Sequence, residues 1–500
     1  MLAKIARFDG LIALLLGALA TLGFAPFSFW PAPVIAIAGL LWLCADRHWK
    51  RAALLGWLFG FAHFATGIYW VVISTHVYGG APLWLGLLLA AVLFAYMAVY
   101  PALVCALSVR FQALRFSRGW LLVPALWVLD ELLRGWVFTG FPWLSLGYIA
   151  LDTPAQRLAP LFGMHGLSLV YVISAYAIFR IARAGCKERV FALLMALLPL
   201  AGVLAPQVAR WTQSNEQVMN IAVVQGNVPQ DQKWDPTQSD RVLTRYRQMT
   251  LSAADADLIV WPEVVPNAPL DQMGWYLDPI HEYLKFRDST LLGGVLIRGE
   301  GNTIFNSMIA MGAREGRYDK RHLVPFGEFF PIPDWLRPIM DVLGTPYSDF
   351  SSGGAALAPI EVRGQRIGIS ICFEDVFGAE LSRESKQAAI LVNATNDAWF
   401  AGSSAPGQHL RIARMRALEN GRWLIRAANT GISALIAPDG TVAASSPFGT
   451  TEVLRGQITG REGHTPYSRW RDKPLWIIGF AALFVGTFLS VRDRRRDAQI

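Results

Sequence analysis

Charged side chains are scarce in this chain of 500 residues: Asp, Glu, Lys and Arg make up 16% of it, against roughly 25% in an ordinary soluble domain. Apolar residues reach 53%, and the mean hydropathy is +0.35. That balance excludes disorder, which needs the opposite one. It also excludes a chain that hides all its apolar side chains in water-soluble cores. Four cysteines exclude a disulfide scaffold. No Gly-rich phosphate loop is present, and no His/Cys/Glu spacing suggests a metal site, so neither nucleotide nor any other cofactor is expected.

The net charge of +8 raises the question of nucleic acid, and its location answers it. Residues 1–206 hold 14 basic and 6 acidic side chains, which is already +8. Residues 207–491 hold 27 and 29, and residues 492–497 add four Arg and two Asp. The excess sits in the apolar part of the chain, where membrane topology explains it.

Seven apolar stretches near membrane-spanning length fill the first part, at about 10–29, 33–46, 52–75, 82–109, 119–138, 158–182 and 189–206. An eighth lies at about 474–491, and none lies between 207 and 473. Lys4 and Arg7, then Arg47, Lys50 and Arg51, then Arg110, Arg115 and Arg118, then Arg180, Arg183, Lys187 and Arg189, and finally Arg492, Arg494, Arg495 and Arg496, all fall on one side of an eight-span layout. Basic clusters mark the cytoplasmic side, so both termini are expected there and residues 207–473 on the opposite face. A cleaved signal peptide over residues 1–20 is the competing reading, disfavoured because the apolar run continues to Trp30. Asp130, Glu131 and Arg134 sit in or at the end of the fifth span. Two readings stand side by side: an ion pair at the outer boundary, or substrate contact.

From residue 218 onward short β-type runs alternate with amphipathic helices, which points to an α/β sheet covered on both faces. Expected strands are Met219–Gln225, Leu258–Trp261, Thr290–Leu296, Thr303–Met311, Arg366–Ile371, Ala389–Val392, Leu424–Ala427 and Ser433–Ala437. Expected helices are Ser239–Ala253, Asp271–Phe286, Val376–Ser385 and Gln408–Asn420, and no internal repeat is visible. The stretch Glu328–Phe350 is rich in Pro and apolar residues, and is expected to dip into the bilayer surface or cover a lipid-filled site rather than lie flat on its own domain.

Only one cysteine, Cys372, lies in the external block, so it has no disulfide partner there. Such a cysteine is most often buried and inert. Here it follows the run Ile367–Ile371, at the end of a strand, where α/β proteins place ligands and catalysts. A nucleophilic thiol needs a base and a stabilising charge. Glu263, closing Leu258–Glu263, and Lys320, within Tyr318–Glu328, are candidates. Taken singly, each segment is equally an ordinary strand end or turn.

Together, Glu263, Lys320 57 positions on and Cys372 a further 52 on resemble the pattern of the nitrilase superfamily. Over its whole length the chain resembles that superfamily's integral-membrane branch, the apolipoprotein N-acyltransferases. The matching segments are Gln225–Gln230 with Lys233-Trp234, Trp261–Glu263, Lys320–Glu328, Cys372–Glu374, Asn396–Phe400 and Arg414–Glu419. Phe373 departs from the family, which carries Tyr after the nucleophile.

The resemblance implies a four-layer αββα sandwich on an eight-helix membrane base in a bacterial inner membrane, with the catalytic domain in the periplasm. Residues 1–206 would be the membrane domain, 207–473 the catalytic domain, and 474–500 the last span with its Arg-rich tail. It implies transfer of an acyl group from a phospholipid, phosphatidylethanolamine being the expected donor, to the diacylglyceryl-cysteine of apolipoproteins through a thioester. Cys372 would be the nucleophile, Glu263 the base, and Lys320 the oxyanion partner. Glu328 and Glu374 would support Lys320, the alternative for both being ordinary surface carboxylates. Trp234, Phe373 and Trp399 would line the acyl pocket, the alternative for the two tryptophans being plain core. Two rivals stand beside this: a membrane-tethered amidase using water, which shares Glu263, Lys320 and Cys372, and a transporter or scaffold whose external domain only binds a partner. The apolar spans and the 328–350 stretch argue against the amidase, and Cys372 among matched Glu and Lys segments argues against the non-enzyme.

Overall fold

The computed structural model describes residues 8–115, 117–183, 185–233, 235–329, 350–354, 360–400 and 402–497. Trp234 and nearly all of the 328–350 stretch lie outside the described residues. The chain divides into two compact units. One comprises residues 1–72, 84–206 and 470–500, and the other residues 73–83 and 207–469. Residues 73–83, which sequence reading leaves inside the apolar block, therefore group with the second unit.

The first unit is helical. Its helices are α1 (Asp9–Thr21), α2 (Pro31–Cys44), α3 (Trp49–Gly67), α4 (Leu83–Met97), α5 (Val99–Arg110), α6 (Gly119–Arg134), α7 (Ala159–Ile181) and α8 (Cys186–Ala196), with a last helix over Lys473–Asp497. Three stretches are long and apolar enough to cross a membrane: Leu83–Arg110, Pro154–Ile181 and Lys473–Arg492. A fourth is Trp49–Gly67 with Val71–Tyr78, if that pair, bent by 61°, counts as one span. The other expected spans form shorter helices. α1 and α2 have 13 and 14 residues, about 20 Å each at 1.5 Å per residue. The break between α4 and α5 falls at Ala98, three residues before Pro101. The ring of Pro101 cannot donate to the Met97 carbonyl and crowds it, which ends the first helix there. Leu87, Val92, Leu103, Ile477, Phe484 and Phe488 are all at least half exposed, an outward apolar surface suited to lipid rather than water.

Inside this unit Arg134 is buried and bonds the loop that follows its helix. Its Nη1 donates to the carbonyls of Phe141 (2.9 Å) and Trp143 (2.6 Å), and its Nη2 to Ser145 Oγ (2.8 Å). Glu131 Oε1 accepts from Trp127 Nε1 and the Leu146 amide. Arg134 and Glu131 thus hold the 141–146 loop against α6 by satisfying main-chain groups that a dry interior would leave unpaired.

The second unit holds two six-stranded mixed sheets. The strands are β1 (Thr212–Gln225), β2 (Leu258–Val260), β3 (Thr290–Arg298), β4 (Ile304–Gly312), β5 (Gly316–Asp319), β6 (Ile360–Val362), β7 (Gln365–Ile371), β8 (Ile390–Thr395), β9 (Trp423–Ala428), β10 (Ala434–Ile436), β11 (Val442–Ser445) and β12 (Glu452–Gly463). The helices are α9 (Ser239–Ser252), α10 (Gly274–Phe286), α11 (Gly378–Glu384) and α12 (Ala405–Asn420). One sheet runs β12-β1-β2-β3-β4-β5 and the other β11-β10-β9-β8-β7-β6. In each, three parallel strands (β1-β2-β3, β7-β8-β9) are flanked by antiparallel ones.

Alternation along the strands builds the layers. Ile221, Val223, Leu258, Val260, Ile367, Ile369, Ile390 and Val392 share one core between the sheets. Ala222, Val224, Ile259 and Leu291 face the other way, onto Leu243 and Tyr246 of α9 and Leu277, Ile280 and Leu284 of α10. Leu391, Leu424 and Ile436 meet Leu381 of α11 and Ala413 and Ala417 of α12. The result is the expected αββα sandwich. Each fully buried Leu, Ile or Val in these layers contributes about 1.5–3 kcal/mol. Four strands, β5, β6, β11 and β12, are absent from the sequence reading.

Candidate active site

β7 ends at Ile371, and the next residue, Cys372, turns the chain with φ +49° into a 3-10 turn over Cys372–Val376. A side-chain-bearing residue in the left-handed region is strained and must be held there by its surroundings. Asn393 Nδ2 donates to the Cys372 carbonyl at 3.2 Å, and Glu374 Oε2 accepts from the Ile371 amide at 2.7 Å. The turn lifts the thiol off the strand end, where it is half-buried and unbridged. Burial foremost, and then the Glu263 carboxylate, push this thiol well above the ordinary range, while the Lys320 ammonium and the Thr395 hydroxyl pull it down.

Glu263 follows β2 on a tight turn whose next residue, Val264, has φ +48°. The turn lies so close to β3 that a Cβ on Gly294 would come within 2.4 Å of the Pro262 carbonyl oxygen. The Glu263 carbonyl accepts a hydrogen bond from Lys233 Nζ at 3.0 Å, and its Oε1 accepts from Asn306 Nδ2 at 2.7 Å and Lys320 Nζ at 3.3 Å.

Lys320 follows β5 and is 1% exposed. Its Nζ reaches Glu328 Oε1 at 2.8 Å as well as Glu263. Burial alone would lower the ammonium, but the two facing carboxylates outweigh it and raise Lys320 above its usual value. Asn306 Nδ2 bridges the same pair, donating to Glu328 Oε1 at 3.1 Å, and the Val324 amide closes the loop on Glu328 Oε2 at 2.9 Å. Glu328 is therefore a buried member of the cluster, not a surface carboxylate.

Glu374 ties the thiol turn to the lysine loop. Its Oε1 accepts from the amides of Arg321 (2.7 Å) and His322 (3.1 Å), and its Oε2 from Tyr318 Oη (2.9 Å) in addition to Ile371. Burial is the leading influence on this carboxyl and raises it. Phe373 is 6% exposed, with Phe377 edge-on at 5.3 Å and the His322 ring at 6.1 Å. Trp399 is 38% exposed. Its ring meets Tyr78 at 6.1 Å, and its carbonyl accepts from Ser74 Oγ at 3.0 Å, both from the 73–83 segment.

Two functional features escape sequence reading. The first is Asn306, whose only signal is a polar Asn-Ser pair in a mainly apolar strand. The second is a fully buried charge network beneath the thiol turn. His409 bonds Asp397 through Nδ1 (2.9 Å) and Asp375 through Nε2 (3.0 Å). Arg426 Nη2 donates to Asp397 at 2.8 Å, and its Nη1 donates to Asn393, the residue that holds the Cys372 carbonyl. Burial would lower His409, yet the two carboxylates raise it to about 9. Burial would raise Asp397, yet Arg426 and His409 bring it to about 2. His409 and Asp397 are both charged at neutral pH, and their ion pairs with each other and with Arg426 brace the β7, β8 and β9 ends.

Among the described residues no group of three metal-ligating side chains occurs. The arrangement offers a thiol, a carboxylate able to take its proton, and an ammonium at the same carboxylate: the parts needed for acyl transfer through a covalent intermediate.

Two family models match the chain: the apolipoprotein N-acyltransferase N-terminal domain over residues 16–177 and carbon-nitrogen hydrolase over residues 220–467. A protein of Methylococcus capsulatus named apolipoprotein N-acyltransferase is 38% identical over 491 residues, covering 98% of this chain and 97% of that one. Proteins of the same name from Azotobacter vinelandii (40% identical, 98% of this chain, 96% of that one) and Photobacterium profundum (37%, 98% and 96%) match over the same extent.

Proposed function

This chain belongs to the apolipoprotein N-acyltransferase family, and from that premise we propose how Cys372, Glu263 and Lys320 carry out the N-acylation of lipoproteins. The protein is an acyltransferase with a carbon-nitrogen hydrolase domain, and it works in a membrane context on a lipoprotein substrate.

In the first half-reaction Cys372 Sγ attacks the ester carbonyl of a phospholipid while its proton passes to the Glu263 carboxylate. The tetrahedral oxyanion is stabilised by the Lys320 ammonium and by a main-chain amide beside Cys372. Collapse breaks the ester C–O bond. The departing lysophospholipid oxygen takes the proton from Glu263, and the acyl group stays on sulfur as a thioester. In the second half-reaction the neutral α-amino group of the diacylglyceryl-cysteine attacks the thioester. Glu263 accepts the amine proton and returns it to the leaving thiolate. Energy comes from the ester, so no nucleotide enters.

The observation that carries this reading is a buried cation, Lys320, held between Glu263 and Glu328 while its charge pulls on the Cys372 thiol. Glu328 and Glu374 serve to position Lys320. Phe373 and Trp399 line the acyl chain's path, and Trp234 is assigned to it from the sequence resemblance alone. Phosphatidylethanolamine is the proposed donor. The proposed setting is the bacterial inner membrane, with residues 1–206 and 474–500 forming eight spans, both termini cytoplasmic, and residues 207–473 in the periplasm.

Intact-protein mass spectrometry of membrane-purified wild type and Cys372→Ala tests the reading. A fatty-acyl adduct on the wild type, absent from the variant and discharged by a diacylglyceryl-cysteine peptide, is the expected result. Discharge by water alone points to a hydrolase. A wild type that carries no adduct with phospholipid present overturns the nucleophile assignment.

A further inference from the structure

Lys233 is 6% exposed, at the end of a short helical turn over Gln230–Lys233. The turn is held in place by neighbours of the site: Asn396 Nδ2 donates to Gln230 Oε1 at 2.9 Å, and Asn429 exchanges hydrogen bonds with both main-chain groups of Val228. The side chain then reaches inward, and among the described residues its one hydrogen bond is to the Glu263 carbonyl at 3.0 Å. That leaves at least two of its three N–H groups without a partner among those residues, a costly place for a lysine unless its charge serves a purpose.

Counting charges supplies the purpose. Glu263 and Glu328 carry two negative charges, and Lys320 carries one positive. The triad with its second glutamate is therefore left at −1 before any thiolate or oxyanion forms. Each reaction step places a further anion, on sulfur or on the carbonyl oxygen, as Glu263 takes up the proton. With Lys233 protonated the cluster sums to zero at every stage. Burial brings the Lys233 ammonium down to about 8, while the charges of Glu263 and Cys372 hold it up, so it stays cationic at neutral pH.

We propose that Lys233 is the second cation of this site, a positioning residue that fixes the Glu263 turn through its main-chain carbonyl and balances the second carboxylate as the Cys372 thiolate and the oxyanion form. The inference rests on the acyl-transfer reading above for its consequence, but the charge effect on the thiol is measurable without turnover. A buried Met or Gln would fill the same space, so only the charge distinguishes Lys233 from ordinary packing.

The test uses full-length protein in detergent or nanodiscs, freed of any thioester with hydroxylamine, as wild type, Lys233→Met, Lys233→Gln and Lys233→Arg. The rate of Cys372 alkylation by iodoacetamide at pH 7 is followed by peptide mass spectrometry, with Cys186, the exposed cysteine, as internal reference. Loss of the cation disfavours the thiolate, so Lys233→Met and Lys233→Gln should alkylate about tenfold more slowly. Lys233→Arg should stay within threefold of wild type. Alkylation of either neutral variant at the wild-type rate overturns the inference. So does an equal loss in all three variants, which would mark a packing role. If Lys233→Met does not fold, the Gln and Arg pair alone decides. A wild type that never acquires an acyl adduct refutes the acyl-transfer reading and leaves the alkylation ratio as an independent measure of the charge.

Discussion

At Lys320 three buried charges meet within hydrogen-bond reach, and removing the middle one has a calculable sign. Lys320→Met leaves Glu263 and Glu328 facing each other around Asn306 with no cation between them. An uncompensated buried charge costs about 3–5 kcal/mol, so the variant should melt well below wild type. Lys320→Met/Glu328→Gln should recover part of that loss while remaining inactive. No recovery in a melting comparison would mean the carboxylates are not coupled. The buried His409 gives a pH prediction. Its folded-state value of about 9 lies above the ordinary 6.5, so its stabilisation is complete below about pH 6.5 and is lost as the pH rises through about 9. The difference is worth roughly 3 kcal/mol. The gap in melting temperature between wild type and His409→Gln should therefore narrow from pH 6 to pH 9.5. A constant gap would show that the imidazole keeps one protonation state. Neither group's environment is legible in the sequence. Lys320 carries a motif, but His409 stands in an unremarkable helix, and its two carboxylate partners lie 12 and 34 positions away.

Elements position these groups through close approach. Gly294 lets β3 pass under the Glu263 turn, and a methyl there would meet the Pro262 oxygen at 2.4 Å and the Val264 nitrogen at 2.6 Å. Gly294→Ala must push the turn aside. The expected outcome is a loss of acylation rate of tenfold or more, since small misplacements of a base are costly, alongside a stability loss of about 1–3 kcal/mol. Single-turnover thioester formation compared with thermal melting would separate the two, and a wild-type rate would show that the turn has room. The helices and eight strands of the catalytic unit were readable from periodicity because their cores are apolar on alternate positions. β6 and β11 escaped because they are short and partly exposed, whereas the equally short β2 and β10 are apolar and buried at every position. β12 escaped because it is half exposed and carries Glu452, Arg455, Arg461 and Glu462. β1 begins at Thr212, seven residues before its apolar half, for the same reason: its polar half is held by pairing with β12, not by burial.

For the whole molecule, the sidedness of the basic clusters makes a prediction that labelling can check. With a membrane-impermeant maleimide on whole cells whose outer membrane has been permeabilised, a cysteine introduced at Glu315, whose side chain is 77% exposed, should react. Cys186, also exposed, should react only after lysis. Equal reaction of both before lysis would remove the proposed topology. Eight apolar stretches are visible in the chain, but the helices they form differ in length. α1, α2 and α6 stop at 13, 14 and 16 residues, because turns and 3-10 segments consume the remainder of each apolar run. The two sheets repeat one strand pattern without any repeat in the sequence, since topology constrains which positions are apolar and not which residues occupy them.

By itself the sequence determined the class of the protein, a helical apolar block joined to an α/β domain, because burial and periodicity are properties of local composition. It also offered Glu263, Lys320 and Cys372 as candidates, because their order and spacing resemble those of the nitrilase superfamily. Only the tertiary structure decided that Asn306 bridges two carboxylates, that Glu374 joins the thiol turn to the lysine loop, and that Lys233 points at the Glu263 carbonyl. Those relations depend on the ends of β2, β5 and β7 converging, and they join residues 22 to 56 positions apart in the chain. Hydrogen bonds and Coulomb forces act over a few ångströms of space, for which separation along the chain carries no measure.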